Sequence, residues 1–272
     1  MPTRAVDAAG VAHTPAGAAA RIVSLVPSLT ETLFALGLEQ QIVGRTGFCV
    51  HPRDKVRAVP KVGGTKTVRL DAIRALRPTH LIVNIDENER GTVEQLRAFV
   101  PHIVVTHPQT PRDNLALYAL LGAIFGREEE ARHLAGALEA RLREAAAGSF
   151  AAQNVLYLIW REPWMSVARD TYIAATLRLV NWHTLPDVQG GSAGAARYPA
   201  LDFDDAPWLG EVDRVLLSSE PYRFTSAHRD ALARDPRLAG KRIELIDGEM
   251  TSWYGVRAID GIGYLLRHAA AA

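Results

Sequence analysis

One cysteine in 272 residues is the first constraint on this chain. Standing alone, Cys49 excludes an internal disulfide and a zinc site built from several cysteines, and it leaves the redox compartment open. Charge is also nearly silent: 31 Lys and Arg face 30 Asp and Glu, a formal net charge of +1. That balance gives no electrostatic reason to expect nucleic acid or an anionic membrane as a partner. No apolar run approaches the roughly 20 residues a helix needs to cross a bilayer, so membrane insertion is not expected. Residues 1–20 are rich in Ala and Gly but carry no apolar stretch behind basic residues, and so do not read as a signal peptide. They point to the cytoplasm if Met1 is the native start, or else to an export signal already removed. There is no G-x-G-x-x-G, no Walker lysine motif and no H-E-x-x-H. No nucleophile and base converge, so neither an enzyme nor a cofactor is expected.

What is present is an ordinary globular composition, 48% hydrophobic and 22% charged, enough to bury the core of one large domain or two modest ones. Its longest helical signal lies in residues 111–147. Leu115, Leu120, Leu121 and Ile124, then Leu134, Leu138 and Leu142, recur at three- and four-residue spacing. Glu128 with Arg132, and Glu139 with Arg143, are four apart with the acid first, the better order. Gly126 is positioned to break the run and leave residues 127–147 as one helix of about 30 Å. Strand-rich segments of similar size lie on either side. This pattern predicts an N-terminal lobe over residues 1–110, a helical connector over 111–147 and a C-terminal lobe over 148–272. A long packing helix inside a single domain is the other reading.

Within each flank, apolar strands alternate with helices, which argues for α/β architecture with parallel sheets. Strands are expected at residues 21–26, 41–44, 80–83, 103–106, 154–159, 212–217 and 242–246. Helices are expected after Pro27 (capped by Ser28 or Thr30, ended by Gly37), at 70–76, 92–99, 171–180 and 253–268. Residues 182–210 read as one long irregular connection.

In parallel sheets, ligands meet the loops that leave the carboxyl ends of the strands. Here those loops hold Pro27, Ser28, Phe48, Cys49, His51, Thr65, Lys66 and Asn84 in the first half, and Trp160, Glu162, Trp164, Tyr222, Glu249, Trp253 and Tyr254 in the second. Large aromatics beside a few polar groups describe a binding site for something flat and sizeable. Cys49 and His51, two apart, share a face only if extended; with Glu249 they are the candidates for holding a metal, the alternative being a half-buried thiol and a surface imidazole. Glu87 and Glu220 are further carboxylates of that kind. Gly190-Gly-Ser-Ala-Gly194 matches the hydrolase elbow pattern but lies between Pro186 and Pro199 without the strand and helix that motif requires, so it reads as a loop. Asp202, Asp204 and Asp205 read as a solvated helix start.

Asp7-Ala-Ala-Gly10, the run from Arg21 to Glu31, Leu36-Gly37, Val43-Gly44 and Leu76-Arg-Pro78 resemble the substrate-binding proteins of ABC importers for cobalamin and ferric siderophores. The resemblance covers nearly the whole chain, most strongly residues 21–105. Trp160-Arg-Glu-Pro-Trp164 and the run from Asp247 to Gly255 are most similar to the cobalamin-binding, helical-backbone metal receptor branch. The resemblance implies two Rossmann-like lobes joined by one backbone helix, a ligand cleft between them, a periplasmic location and delivery to an ABC permease. It places Phe48 on the family's N-lobe aromatic and Trp253 on its C-lobe tryptophan. It also assigns permease docking to Asp71, while the second docking carboxylate falls on Gly255, which implies weak or asymmetric docking.

The expectation is therefore a monomeric, non-enzymatic binding protein whose ligand is a corrinoid such as cobalamin or a ferric chelate. A direct transition-metal-ion binder is the alternative, and a cytoplasmic binder or enzyme reusing the fold is a third.

Overall fold

The computed structural model describes residues 5–271; Met1–Arg4, the head of the stretch read for an export signal, and Ala272 lie outside them. The chain divides into two compact units. Among the described residues, the first comprises residues up to 108, 112–138 and 254–257, and the second residues 109–111, 139–253 and those from 258 on.

The first unit begins with a hairpin of two short strands, β1 (Ala5–Val6) and β2 (Ala12–His13). Four parallel strands follow: β3 (Ile22–Ser24), β4 (Ile42–Arg45), β5 (His80–Asn84) and β6 (His102–Thr106), in the order β4-β3-β5-β6. Three helices alternate with them, α1 (Pro27–Ala35), α2 (Leu70–Ala75) and α3 (Arg90–Arg97). Every residue of β5 is buried, as expected of a strand covered on both faces. Val23 and Leu25, then Leu81 and Val83, are two apart and enter one core with Ile73, Val93 and Leu96. The hairpin, which the sequence reading missed, is pinned by Asp7. Its carboxylate accepts the amides of Ala9, Val11 and Val105 at 2.9–3.0 Å and lies 3.0 Å from His13 Nε2.

Two details of α1 differ from expectation. Pro27 occupies the first helical turn, so the helix starts earlier than Ser28 and is capped by no side chain. Thr30 is inside it, with Oγ1 bonded back to Val26 O at 2.9 Å. Gly37 ends the turn after it at φ 70°.

The long helical segment is two helices, α4 (Asn114–Phe125) and α5 (Glu128–Ala147). Gly126 separates them in the left-handed conformation at φ 64°, which glycine adopts without the steric cost of a Cβ. At 20 residues, α5 is about 30 Å long. The chain passes from the first unit to the second within it: α4 and the residues up to Leu138 group with the first unit, and the rest of α5 from Glu139 groups with the second.

The second unit repeats the plan. Strands β7 (Gln153–Leu158), β9 (Trp182–Thr184), β11 (Arg214–Ser218) and β12 (Arg242–Ile246) form a parallel sheet ordered β12-β11-β7-β9. Between β7 and β9 lie β8 (Trp164–Met165) and α6 (Tyr172–Leu177), and β10 (Ala200–Leu201) pairs antiparallel with β8. Helices α7 (Ser226–Leu232), α8 (Gly248–Ser252) and α9 (Arg257–Ala270) complete it. Leu156, Leu158, Val215 and Leu217 pack on one face with Phe203, Phe224 and Leu232.

The connection read as irregular thus contains β9 and β10, each too short to show periodicity. The last helix begins at Arg257 rather than at residue 253, because Gly255 (φ 74°) interrupts helical geometry. Asp202 caps a short 3-10 turn instead of starting an α-helix, and Asp204 pairs with Arg237 at 2.5 Å.

Candidate ligand-binding site

In the first unit, the strand exits are held to one another by buried polar side chains. Asn88 is the centre: its amide nitrogen donates to Leu25 O at 3.3 Å and Thr65 O at 3.1 Å, and its Oδ1 accepts the Asn84 N–H at 2.9 Å. Three loops are thereby tied by one side chain, at the far end of the exit that runs from Asn84 to Asn88. Asn84, predicted to meet a ligand, is buried and braced, accepting Asp86 N–H at 2.8 Å. Lys66 is exposed and Thr65 half-buried.

The exit of β4 is built around Arg45, which is buried and donates to the carbonyls of Thr46, Cys49 and Val56 at 3.1 Å. Cys49 points inward at 1% exposure, its Sγ 3.1 Å from Thr30 Oγ1 and 3.2 Å from Thr46 Oγ1. Burial pushes its thiol up, away from the thiolate that binds metals. His51 is half-buried, whereas Phe48 is 62% exposed. Pro27 and Ser28 are buried in α1. Asp71 is exposed in the first turn of α2.

Tyr254, read with the second lobe, groups with the first. Its hydroxyl donates to Glu87, and burial together with the Glu87 charge holds that hydroxyl well above the usual phenol range. The Gly255 amide donates to Asn114 Oδ1 at 2.6 Å, Tyr118 Oη donates to the Gly255 carbonyl at 2.8 Å, and Arg257 pairs with Glu31 through two bonds at 2.6 and 2.9 Å.

In the second unit, the exits of β7 and β11 carry one aromatic cluster. Trp160, 40% exposed, meets Tyr222 edge-on at 5.6 Å. Tyr222 leans on Phe224 at 4.7 Å. Behind them, Trp164 stacks on Phe203 at 5.5 Å and lies parallel to Phe224 at 6.1 Å. The β8–β10 pairing sets Leu201 opposite Trp164, so the missed strands are what position this ring. Trp164 is therefore a support within the cluster, half-buried, and Trp160 is its open edge. Glu162 is exposed beside Arg161 at 3.4 Å.

The exit of β12 joins that of β11. Glu220 Oε1 accepts the Trp253 indole N–H at 2.6 Å and the Ser252 hydroxyl at 2.9 Å. Burial, with the nearby charge of Glu249, raises the Glu220 carboxyl to about 6. Beneath it, buried Tyr157 bonds Ser218 Oγ at 3.2 Å and Thr251 Oγ1 at 2.6 Å. Glu249 is half-buried in the first turn of α8. Among the described residues, no three His, Cys, Asp or Glu side chains gather in a way that could hold a metal ion, so Cys49, His51 and Glu249 are not brought into one cluster.

Both units thus carry aromatic and polar side chains at the carboxyl ends of parallel strands, where ligands meet such sheets. The family model described as "Periplasmic binding protein" matches residues 22–194. The chain belongs to this family. The periplasmic binding proteins are solute-binding proteins, not enzymes. An uncharacterized ABC transporter substrate-binding lipoprotein, YvrC of Bacillus subtilis, is 23% identical over 254 residues, 89% of this chain and 77% of its own. A vitamin B12-binding protein of Pectobacterium carotovorum is 27% identical over 141 residues, 51% of each chain. Among solved structures, a periplasmic heme-binding protein from Pseudomonas aeruginosa superposes with a TM-score of 0.76 at 23% identity, covering 93% of both chains. That likeness establishes the shared fold. No helix among the described residues is long and apolar enough to cross a membrane.

Proposed function

We propose that this periplasmic binding protein is the substrate-binding component of an ABC importer and that its ligand is a large metal chelate with a flat face, a corrinoid or a ferric chelate such as heme. The observation that carries the reading is the aromatic cluster at the exits of β7 and β11, open at Trp160 and backed by Trp164, Phe203 and Phe224. Aromatic walls bury much apolar area while leaving polar edges for orientation. Phe48 is the corresponding exposed aromatic at a strand exit of the first unit. Relatives with vitamin B12-binding and heme-binding names support the same ligand class.

A bare transition-metal ion needs several His, Cys or carboxylate ligands converging on one point. The described residues offer no such group. Delivery would be to a permease in the periplasm, with Asp71, exposed on α2, as the docking residue carried over from the resemblance. A thermal-shift screen tests the ligand class, because a ligand that binds only the native state raises its stability. Hydroxocobalamin, hemin or a ferric siderophore should raise the melting temperature, and zinc or manganese salts should not. A shift with metal salts alone would refute the proposal.

A further inference from the structure

Tyr222 leaves β11 with its ring fixed on three sides, by Trp160 and His228 edge-on at 5.6 and 5.5 Å and by Phe224 at 4.7 Å. Its hydroxyl has a single protein partner among the described residues, Nε2 of His228 at 3.2 Å. The direction of that bond is decided on the other side of the imidazole. Thr225 caps α7, and its backbone N–H donates to His228 Nδ1 at 3.0 Å, while its side chain accepts the His228 backbone N–H in return. This is a capping box with histidine in the place usually held by Glu or Gln. A nitrogen that accepts an N–H carries no proton, so Thr225 Oγ1, 3.0 Å from the same Nδ1, can only donate to it, and the hydrogen-bond network assigns the ring proton to Nε2. His228 then donates to Tyr222 Oη. The tyrosine's own O–H proton has no acceptor among the described residues and is left for a group from outside the chain.

We propose that Tyr222 is a specificity-determining hydrogen-bond donor and that His228 is its positioning residue. The pair presents an O–H beside the open Trp160 ring. It suits a flat ligand bearing a carbonyl or carboxylate oxygen at its rim, as the amide or acid side chains of tetrapyrroles do. This inference rests on the ligand class proposed above.

The test uses the full chain with hydroxocobalamin and ferric protoporphyrin IX as probes, in wild type, Tyr222→Phe, His228→Gln and His228→Glu. Glutamine and glutamate both serve the capping box. Glutamine can still donate to Tyr222, whereas glutamate only accepts and captures the tyrosine proton. Tyr222→Phe and His228→Glu should each weaken binding of the accepted probe by about tenfold, the scale of one hydrogen bond left unmade. His228→Gln should stay close to wild type, a split that a merely structural role would not produce. Nitrogen–proton correlation NMR on the ligand-free protein should find the His228 proton on Nε2. Unchanged affinity in Tyr222→Phe and His228→Glu, or a proton on Nδ1, overturns the inference and leaves the ligand class standing. Wild-type protein that takes neither probe overturns the tetrapyrrole reading and this inference with it.

Discussion

The indole N–H of Trp253 and the hydroxyl of Ser252 share one oxygen of Glu220, at 2.6 and 2.9 Å. This carboxylate fixes a tryptophan that the family resemblance assigns to the ligand, yet burial makes its charge unfavourable and raises it to about 6. The folded pKa exceeds the ordinary 4.5, so the native state binds the extra proton between those values. Stability contributed by this group is therefore greatest below about 4.5 and falls as pH rises toward 6, by up to about 2 kcal/mol. Glu220→Gln keeps an acceptor for Trp253 and should be more stable than wild type at pH 7, with the gain vanishing near pH 4.5 in urea titrations. A variant destabilised at every pH would contradict this.

In the first unit, His80 has the opposite sign. It is buried at the start of β5 and stacked on His102 at 4.8 Å; burial first, then the charges of His102 and His13, holds its imidazole down to about 4. A histidine whose folded pKa lies below the ordinary 6.5 contributes stability above that value and loses it as pH falls toward 4. His80→Phe should flatten the acid limb of the stability profile between those pH values, by an amount on the order of 3 kcal/mol. An unchanged acid limb would place the titration elsewhere.

Gly255 leaves no room for a side chain. A Cβ there would lie 2.1 Å from Thr32 Oγ1, and φ is +74°. The residue is buried with its amide and carbonyl both bonded, so an acidic docking side chain at this position is excluded by packing. Gly255→Ala should cost about 2–4 kcal/mol by chemical denaturation, from left-handed strain plus overpacking. A loss under about 0.5 kcal/mol would show that the segment shifts freely.

The aromatic candidates separate into two kinds. Trp160→Ala should weaken ligand binding by about 1–3 kcal/mol, the scale of an interface anchor, with little effect on folding because the ring is exposed. Trp253→Ala should lower both binding and stability, because the indole is 9% exposed and bonded to Glu220. Cys49→Ser should leave binding unchanged, since the buried thiol faces Thr30 and Thr46. Calorimetric titration alongside melting curves distinguishes these cases.

The main strands were legible because they are short apolar runs buried on both faces, as in residues 80–84. Gly126 was legible as a break because no other residue adopts that backbone so cheaply. The hairpin at residues 5–13 and the strands β8, β9 and β10 were not, since their two or three residues carry no period and lack the flanking apolar run that marks the equally short β3. At the site, the exposed aromatics could be picked out by type and position at strand exits. The bracing roles of Arg45, Asn88 and Glu220 could not, because each depends on partners brought near only by folding. The support of Trp164 by Phe203 and Phe224 was hidden for the same reason.

In the proposed function, Trp160 and its aromatic backing receive a metal chelate. The direct measurement titrates purified protein, then Trp160→Ala, with hydroxocobalamin, hemin and a ferric siderophore, following tryptophan fluorescence and protein-bound cobalt or iron. Saturable binding of one chelate by wild type, quenching its fluorescence and weakened by about tenfold or more in Trp160→Ala, is the predicted result. Failure to bind any corrinoid, heme or siderophore, together with tight stoichiometric zinc or manganese binding abolished by His51→Ala, would contradict it.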